Sequence, residues 1–344
     1  MKIVIRATNW VGDAVMCIPA LEAIRARWPQ AEIAILARAW VADLYRGQPF
    51  ADEIISLDAS VRSPVAMEKI ARDLRRGRFD CAVLFQNAFS AAWLAWRAGI
   101  PERIGYARDG RGLLLTRAIP VPRAREIPAH ETYYYLELVR RAGWLDQLPD
   151  ITEIQLRLAP GASDAAELRL QNAGIRHGSR RIALAPGAAY GSAKCWLPER
   201  FAAVADSLVD EFAADVILFG TPSEAGVARQ IAARMRHQPI SLVGQTPIGE
   251  LPALFSRCQL FIGNDSGAMH VAAAVGVPVV GVFGSTDPEG TTPITPRRTI
   301  VRHRVACSPC FLRECPIDHR CMTRIESGDV HAAAFQWLEQ APRA

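Results

Sequence analysis

The sequence has no long apolar run. Its most hydrophobic stretch, residues 268–284, is interrupted by His270, Pro278 and several glycines, so it falls short of the roughly 20 apolar residues that a bilayer-spanning helix needs. A signal-peptide core is also missing, because residues 1–5 read as a strand that Arg6 interrupts. Charge of one sign is scarce. A net charge of +5 over 344 residues is too small to indicate nucleic-acid binding, and it suits an anionic small molecule or an anionic membrane surface. With half of the residues hydrophobic and 22% charged, a long disordered tail is not expected. The last absence is a motif. The turn after the first strand, Asn9-Trp10-Val11-Gly12-Asp13, has one glycine where a dinucleotide-binding fold carries G-x-G-x-x-G, so the NAD fingerprint fails. These absences describe a cytoplasmic globular protein that binds neither nucleic acid nor NAD.

What is present is an alternation of strands and helices. Strands read at 2–6, 32–36, 53–57 and 81–85, with helices at 14–28, 42–47 and 65–76 between them. The same rhythm restarts at 181–185 and continues through strands at 216–219, 260–262 and 277–283 and helices at 198–211, 224–235 and 267–275. Such alternation predicts parallel sheets covered by helices on both faces. A single core rarely grows beyond about 250–300 residues, so two doubly wound domains are expected, at 1–160 and 161–327. Pro160-Gly161 marks the break, and Asp164 with Glu167 reads as a capping box just after it. A last helix, within 328–344, is expected to pack back on the first domain. In such folds ligands sit beyond the carboxyl ends of the strands, which for two facing domains means one cleft.

Five clusters carry chemistry. Asp13 stands at a helix start, where the helix dipole favours its charged form; it is either an N-cap or a general base for an acceptor hydroxyl. In Gly263-Asn264-Asp265-Ser266-Gly267-Ala268-Met269-His270, Ser266 is a natural N-cap and the first free helix amides suit a diphosphate. Asp265 beside them suits a sugar or ribose hydroxyl. His270 is either a packed core residue or a hydrogen-bonding partner of phosphate or sugar. The loop from Pro186 to Trp196 offers one cation, Lys194, which is a point charge for a phosphate leaving group or a solvated lysine. Glu224, just past a strand end, suits ribose hydroxyls or is a first-turn helix carboxylate. Cys307, Cys310, Cys315 and Cys321, within a segment at 303–321 that also holds His303 and His319, fit no standard zinc module; a structural zinc and plain thiols or disulfides are both open. The other four cysteines read as buried thiols. A basic run, Arg62, Lys69, Arg72, Arg75, Arg76 and Arg78, is either a solvated helix face or a patch for phosphates.

At Asn9-Trp10-Val11-Gly12-Asp13, at Lys194 with Trp196-Leu197-Pro198, and at Asn264-Asp265-Ser266-Gly267-x-x-His270, the chain resembles the ADP-heptose:lipopolysaccharide heptosyltransferases of glycosyltransferase family 9. The resemblance runs over nearly the whole chain, and the Asn-Trp form of the first loop is most like heptosyltransferase II. It implies a GT-B fold, built from two Rossmann-like domains, and inverting transfer that requires no metal cofactor. The implied donor is ADP-heptose. The implied acceptor is the heptosylated Kdo-lipid A inner core, met at the cytoplasmic face of the inner membrane, with which the protein would be in peripheral contact. Asp13 would then be the general base, Lys194 would hold the donor phosphates, Asp265, Ser266, Gly267 and His270 would line the donor site, and Glu224 would take the ribose. One departure stands in the loop before Lys194, where Ala188-Ala189-Tyr190 replaces threonines and leaves Tyr190 or Ser192 for hydroxyl contacts. The acceptor side is assigned to Asn9, Trp10, Arg62, Arg97 and Arg103. Two further readings stay open. One is a transferase of the same fold with another donor or acceptor, of heptosyltransferase I or III type. The other is a non-catalytic nucleotide- or metal-binding module built on the cysteine cluster.

Overall fold

The computed structural model describes residues 1–57 and 63–341. The chain divides into two compact units, Met1–Ile151 and Thr152–Ala344, so the division falls ahead of the expected Pro160-Gly161 break. The first unit runs β1 (Lys2–Arg6), α1 (Val11–Met16), α2 (Ile18–Arg27), β2 (Glu32–Arg38), α3 (Ala39–Ala42), β3 (Glu53–Leu57), α4 (Pro64–Gly77), β4 (Cys81–Leu84), α5 (Phe89–Arg97), β5 (Glu102–Tyr106), β6 (Arg117–Ile119) and α6 (Glu131–Arg141). Its strands form one sheet in the order β3-β2-β1-β4-β5-β6, with every pairing parallel. The central β1 buries Ile3, Val4 and Ile5, the near-continuous apolar run of a parallel strand covered on both faces.

Local chemistry sets the helix bounds. The helix expected over 14–28 is two helices, because Pro19 lies in the first turn of α2 and Cys17 closes one helix and opens the next. α4 begins where Ser63 accepts from the Ala66 amide at 3.1 Å, with Pro64 at the first helical position. It buries Ala71 and Leu74 and turns Arg72, Arg75 and Arg76 to water. The basic run is thus, over its described residues, the solvated face of an amphipathic helix.

The second unit runs α7 (Ala162–Asn172), β7 (Arg181–Ala185), α8 (Pro198–Phe212), β8 (Asp215–Leu218), α9 (Ala225–Ala232), β9 (Ile240–Ser241), α10 (Leu251–Ser256), β10 (Leu260–Asn264), α11 (Gly267–Ala274), β11 (Val279–Phe283), α12 (Pro288–Thr291), β12 (Arg298–Arg302), α13 (Arg320–Thr323) and α14 (Ser327–Gln340). Its sheet has the order β12-β11-β10-β7-β8-β9 and is again parallel. Val330, Ala333, Ala334 and Leu338 of α14 are buried in the core of the second unit, with Leu208 of α8 and Ile262 of β10. The apolar stripe of α14 is spent there. Among the described residues no helix is long and apolar enough to cross a membrane.

The capping box expected at Asp164 and Glu167 is not formed. Gly161 occupies the N-cap of α7 at φ 75°, without a side-chain cap. Glu167 instead accepts two hydrogen bonds from the buried Arg181 guanidinium, at 2.6 and 2.7 Å, which pins α7 to the first strand of the sheet. Those bonds, more than any other influence, hold the Glu167 carboxyl down to about 2. A carboxyl depressed in the fold contributes stability above its unfolded pKa of about 4.3 and loses it as pH falls through the folded value. Glu167→Gln should therefore cost about 1–2 kcal/mol near neutral pH. In urea unfolding, its difference from the parent protein should shrink between about pH 5 and pH 2. A difference that persisted undiminished to the acid end would mean that the ion pair is not its source.

Candidate active site

In the second unit the strand order reverses between β7 and β10, and the loops leaving their carboxyl ends diverge there, which is the usual ligand position of an open parallel sheet. Those two loops carry Lys194 and Asp265. The Lys194 ammonium donates to Asp265 Oδ2 at 2.5 Å, and the Thr286 hydroxyl donates to the same oxygen at 2.7 Å. The two side chains are 13% and 4% exposed, so water and salt screen their attraction little. The Lys194 Nζ also stands 5.1 Å from the centroid of the Tyr190 ring. Lys194 is one of only three lysines among 40 Lys and Arg residues. A compact ammonium can move between a carboxylate and an incoming phosphate, where a planar guanidinium would prefer a fixed fork.

Asn264, for which the sequence suggested no role, holds the two loops together. It is fully buried. Its Oδ1 accepts from the Trp196 amide at 2.9 Å and its Nδ2 donates to the Pro186 carbonyl at 2.6 Å. One side chain thus fastens both ends of the loop that contains Lys194 to the end of β10.

Ser266 is the N-cap residue of α11 but makes no capping bond. Its Oγ is buried without a hydrogen-bond partner among the described residues, a state that costs about 1–3 kcal/mol and that a ligand oxygen would relieve. Gly267 opens α11 and His270 is buried within it. Glu224 closes a capping box, its Oε2 accepting from the Thr221 amide at 2.6 Å. The same carboxylate lies against Gly187, where any Cβ would overlap it. Glu224 is therefore a helix-start carboxylate that also borders the Lys194 loop.

The cysteine-rich segment packs on this loop. Tyr190 donates from its hydroxyl to the Phe311 carbonyl at 2.7 Å, the Ala193 amide donates to the Arg313 carbonyl at 2.9 Å, and His319 Nε2 lies 3.0 Å from the Ala193 carbonyl. Cys307 and Cys310 are exposed, whereas Cys321 is buried in the core of the unit. Burial, with the neighbouring thiols adding to it, pushes the Cys321 thiol up to about 11. Among the described residues no three or more His, Cys, Asp or Glu side chains are grouped to hold a metal ion, so of the two readings left open for these cysteines the structural zinc gains no support. Burial likewise pushes the Cys17 and Cys258 thiols up to about 12, as packing groups.

In the first unit the order reverses between β1 and β4. Asp13 lies in the first turn of α1, whose N-cap is Trp10, so Asp13 is not itself the cap. Its Oδ1 accepts from the Tyr135 hydroxyl of α6 at 3.0 Å. Burial, reinforced by the charge of Asp13, holds the Tyr135 phenol well above its ordinary range, so it remains a donor. Burial first, and then Asp13, also raises the Glu131 carboxyl. Both α6 residues escaped the sequence reading; the run Tyr133-Tyr134-Tyr135 was the available signal. Asn9 accepts from Arg6 at 2.8 Å through Oδ1 and from Trp40 Nε1 at 2.8 Å through its carbonyl. Trp10 is half exposed. Arg97 is ion-paired with Glu68 at 2.8 Å, and Arg103 donates to the carbonyls of Leu114 and Ile100 at 2.7 and 2.5 Å. Both guanidinium groups, which the sequence reading assigned to the acceptor side, make these contacts within the first unit. Arg62 lies outside the described residues.

Two doubly wound units, one with a lysine and a helix start at its switch point and the other with a first-turn carboxylate, have the layout of a ligand-binding α/β enzyme. Known proteins make the class specific. The chain belongs to glycosyltransferase family 9 (heptosyltransferase), which matches residues 67–320. It is 29% identical over 313 residues to lipopolysaccharide heptosyltransferase 2 of Escherichia coli (strain K12), covering 88% of each chain. It is 28% identical over 350 aligned residues to lipooligosaccharide heptosyltransferase 2 of Campylobacter jejuni, covering 99% of each. The solved structure of E. coli ADP-heptose lps heptosyltransferase II superposes with a TM-score of 0.84 at 27% identity, over 99% of both chains.

Asn264→Ala would orphan the Trp196 amide and the Pro186 carbonyl inside the protein. It should lower stability by about 2–4 kcal/mol, read as a reduced urea midpoint. Asn264→Asp keeps the acceptor but sets an oxygen against the Pro186 carbonyl, so it should rescue only part of the loss. Full rescue by aspartate would show that the Pro186 bond carries no weight.

Proposed function

We propose that the protein transfers L-glycero-D-manno-heptose from ADP-heptose to the heptosylated Kdo-lipid A inner core during lipopolysaccharide biosynthesis, with inversion at the anomeric carbon. The observation that carries this reading is the Lys194–Asp265 pair at the β7/β10 switch point, beside the orphan hydroxyl of Ser266, in a chain of the heptosyltransferase family. The acceptor hydroxyl attacks the anomeric carbon as the bond to ADP breaks, and Asp13 takes its proton. The Tyr135 hydroxyl donates to Oδ1 of that carboxylate and orients it for this role. Because Asp265 already neutralises Lys194, the departing diphosphate draws on the ammonium together with Ser266 and the first amides of α11. Glu224, Gly267 and His270 complete the donor side. This route assigns charge neutralisation to protein groups and passes no step through a metal.

The acceptor is lipid-borne, so the protein works in peripheral contact with the cytoplasmic face of the inner membrane. Trp10, Trp40, Phe89 and Trp96 of the first unit are each about half exposed, and amphipathic rings of this kind suit a lipid–water boundary.

Incubation with ADP-heptose and a deacylated inner-core acceptor, followed by mass spectrometry, tests the reaction; other nucleotide sugars serve as controls. Asp13→Asn should lower kcat by about 10²–10⁴ and leave donor affinity nearly intact. Tyr135→Phe should lower kcat by roughly tenfold and move the acid limb of the pH–rate profile upward, because a hydrogen bond to the ionised base is lost. Wild-type turnover by Asp13→Asn would remove the assigned base.

A further inference from the structure

The first unit contains a cavity of about 300 Å³ at the carboxyl edge of its sheet. Three neighbouring strands supply its polar wall: Arg6 ends β1, Arg38 ends β2, and Gln86 follows β4. Asn9 in the loop to α1 and Ser90 in the first turn of α5 join them. The cavity therefore sits at the β1/β4 switch point, where this architecture receives its ligands.

Arg6 is 6% exposed. Its terminal nitrogens donate to the carbonyls of Ala7 and Leu36 at 2.5 and 3.3 Å and to Asn9 Oδ1 at 2.8 Å. None of these acceptors is charged, and a guanidinium has five N–H donors to place. No carboxylate forms an ion pair with Arg6 among the described residues. Burial, followed by the charge of Arg38, pushes Arg6 down to about 10, so it stays protonated near neutral pH, and among the described residues no carboxylate compensates its charge. Burying such a charge is costly unless a partner arrives. Arg111 makes the contrast. It is fully buried, but it bonds to Tyr106 O, Gln86 O and Asn87 Oδ1 at 2.8, 2.5 and 2.9 Å and feels the Asp109 charge. It does not line this cavity, and its role is structural.

We propose that Arg6 and Arg38 form an oxyanion pocket that captures an acidic substituent of the sugar acceptor, either a carboxylate or a phosphate monoester. Only the identity of the carrier molecule rests on the transferase reading; the capture of an anion does not. The Arg6 guanidinium is bonded to Asn9, and that loop leads directly into the helix that holds Asp13. An acceptor anchored here by its charge would be held on the same edge of the sheet as the base.

The full-length protein, titrated separately with inorganic phosphate and with acetate, can be followed through its arginine Nε–Hε NMR signals. Saturable perturbation of the Arg6 signal, identified by its loss in Arg6→Lys, is expected with at least one anion. Affinity should fall at least about tenfold in Arg38→Gln, a variant at a half-buried side chain whose urea midpoint is compared with that of the parent protein. Tighter phosphate would indicate a phosphorylated acceptor, and tighter acetate a carboxylated one. No saturable response to either anion, or equal affinity in Arg38→Gln, would overturn the pocket. In transfer assays Arg38→Gln should raise the acceptor KM roughly tenfold with donor KM unchanged, and an unmoved acceptor KM would overturn its assignment to the acceptor. Anion binding without any heptose transfer by the parent protein would sink the proposed reaction and leave the pocket standing.

Discussion

Each half of the chain lays its first strand in the middle of its sheet, and this placement governs where chemistry can sit. A parallel sheet begun at β1 and grown outward on both sides must reverse direction beside β1. The loops that leave there part from each other and expose backbone and side chains at one edge. The second sheet, begun at β7, obeys the same constraint. Arg6, Asn9 and Asp13 in one unit, and Lys194, Asp265 and Ser266 in the other, all end or follow strands that border such a reversal.

Position alone does not hold a loop still. In the second unit the buried amide of Asn264 ties the loop ends at Pro186 and Trp196 to β10, and the cysteine-rich segment hydrogen-bonds to the same loop from Phe311, Arg313 and His319. That segment is a buttress by its main-chain contacts, whatever its thiols do. The Lys194 ammonium then meets a carboxylate that Thr286 already orients. A charge group arranged in this way needs little rearrangement when a diphosphate enters, which is the condition under which fixed dipoles and charges assist a reaction most.

The first unit solves a different problem. It keeps one carboxylate close to a second, Glu131, and beneath a phenol that stays protonated. It also keeps the Arg6 guanidinium buried without a carboxylate partner among the described residues. Charged groups buried at a sheet edge in this way are candidates for a ligand site.

The sequence by itself determined the two α/β units and most of their central elements. Runs such as Ile3-Val4-Ile5 and Val279-Val280-Gly281-Val282-Phe283 are apolar because both faces of a central parallel strand are covered. β5, β6, β9 and β12 escaped notice, since these outer strands are short, half exposed or flanked by arginine. The sequence also placed Asp13, Lys194, Asp265 and Ser266 at strand-to-helix turns, because turn chemistry is local. Only the tertiary structure decided their partners. It joined Lys194 to Asp265 and Tyr135 to Asp13, gave Asn264 its clasp, turned Glu167 from a cap into an ion pair, committed Arg97 and Arg103 to the fold, sent the last helix into the second core, and left the four cysteines without a common metal geometry. Most of those outcomes depend on contacts between residues well separated in the chain, from 14 positions for Glu167 and Arg181 to 122 for Asp13 and Tyr135, and hydrophobic periodicity, which reports which face is buried, does not report against what.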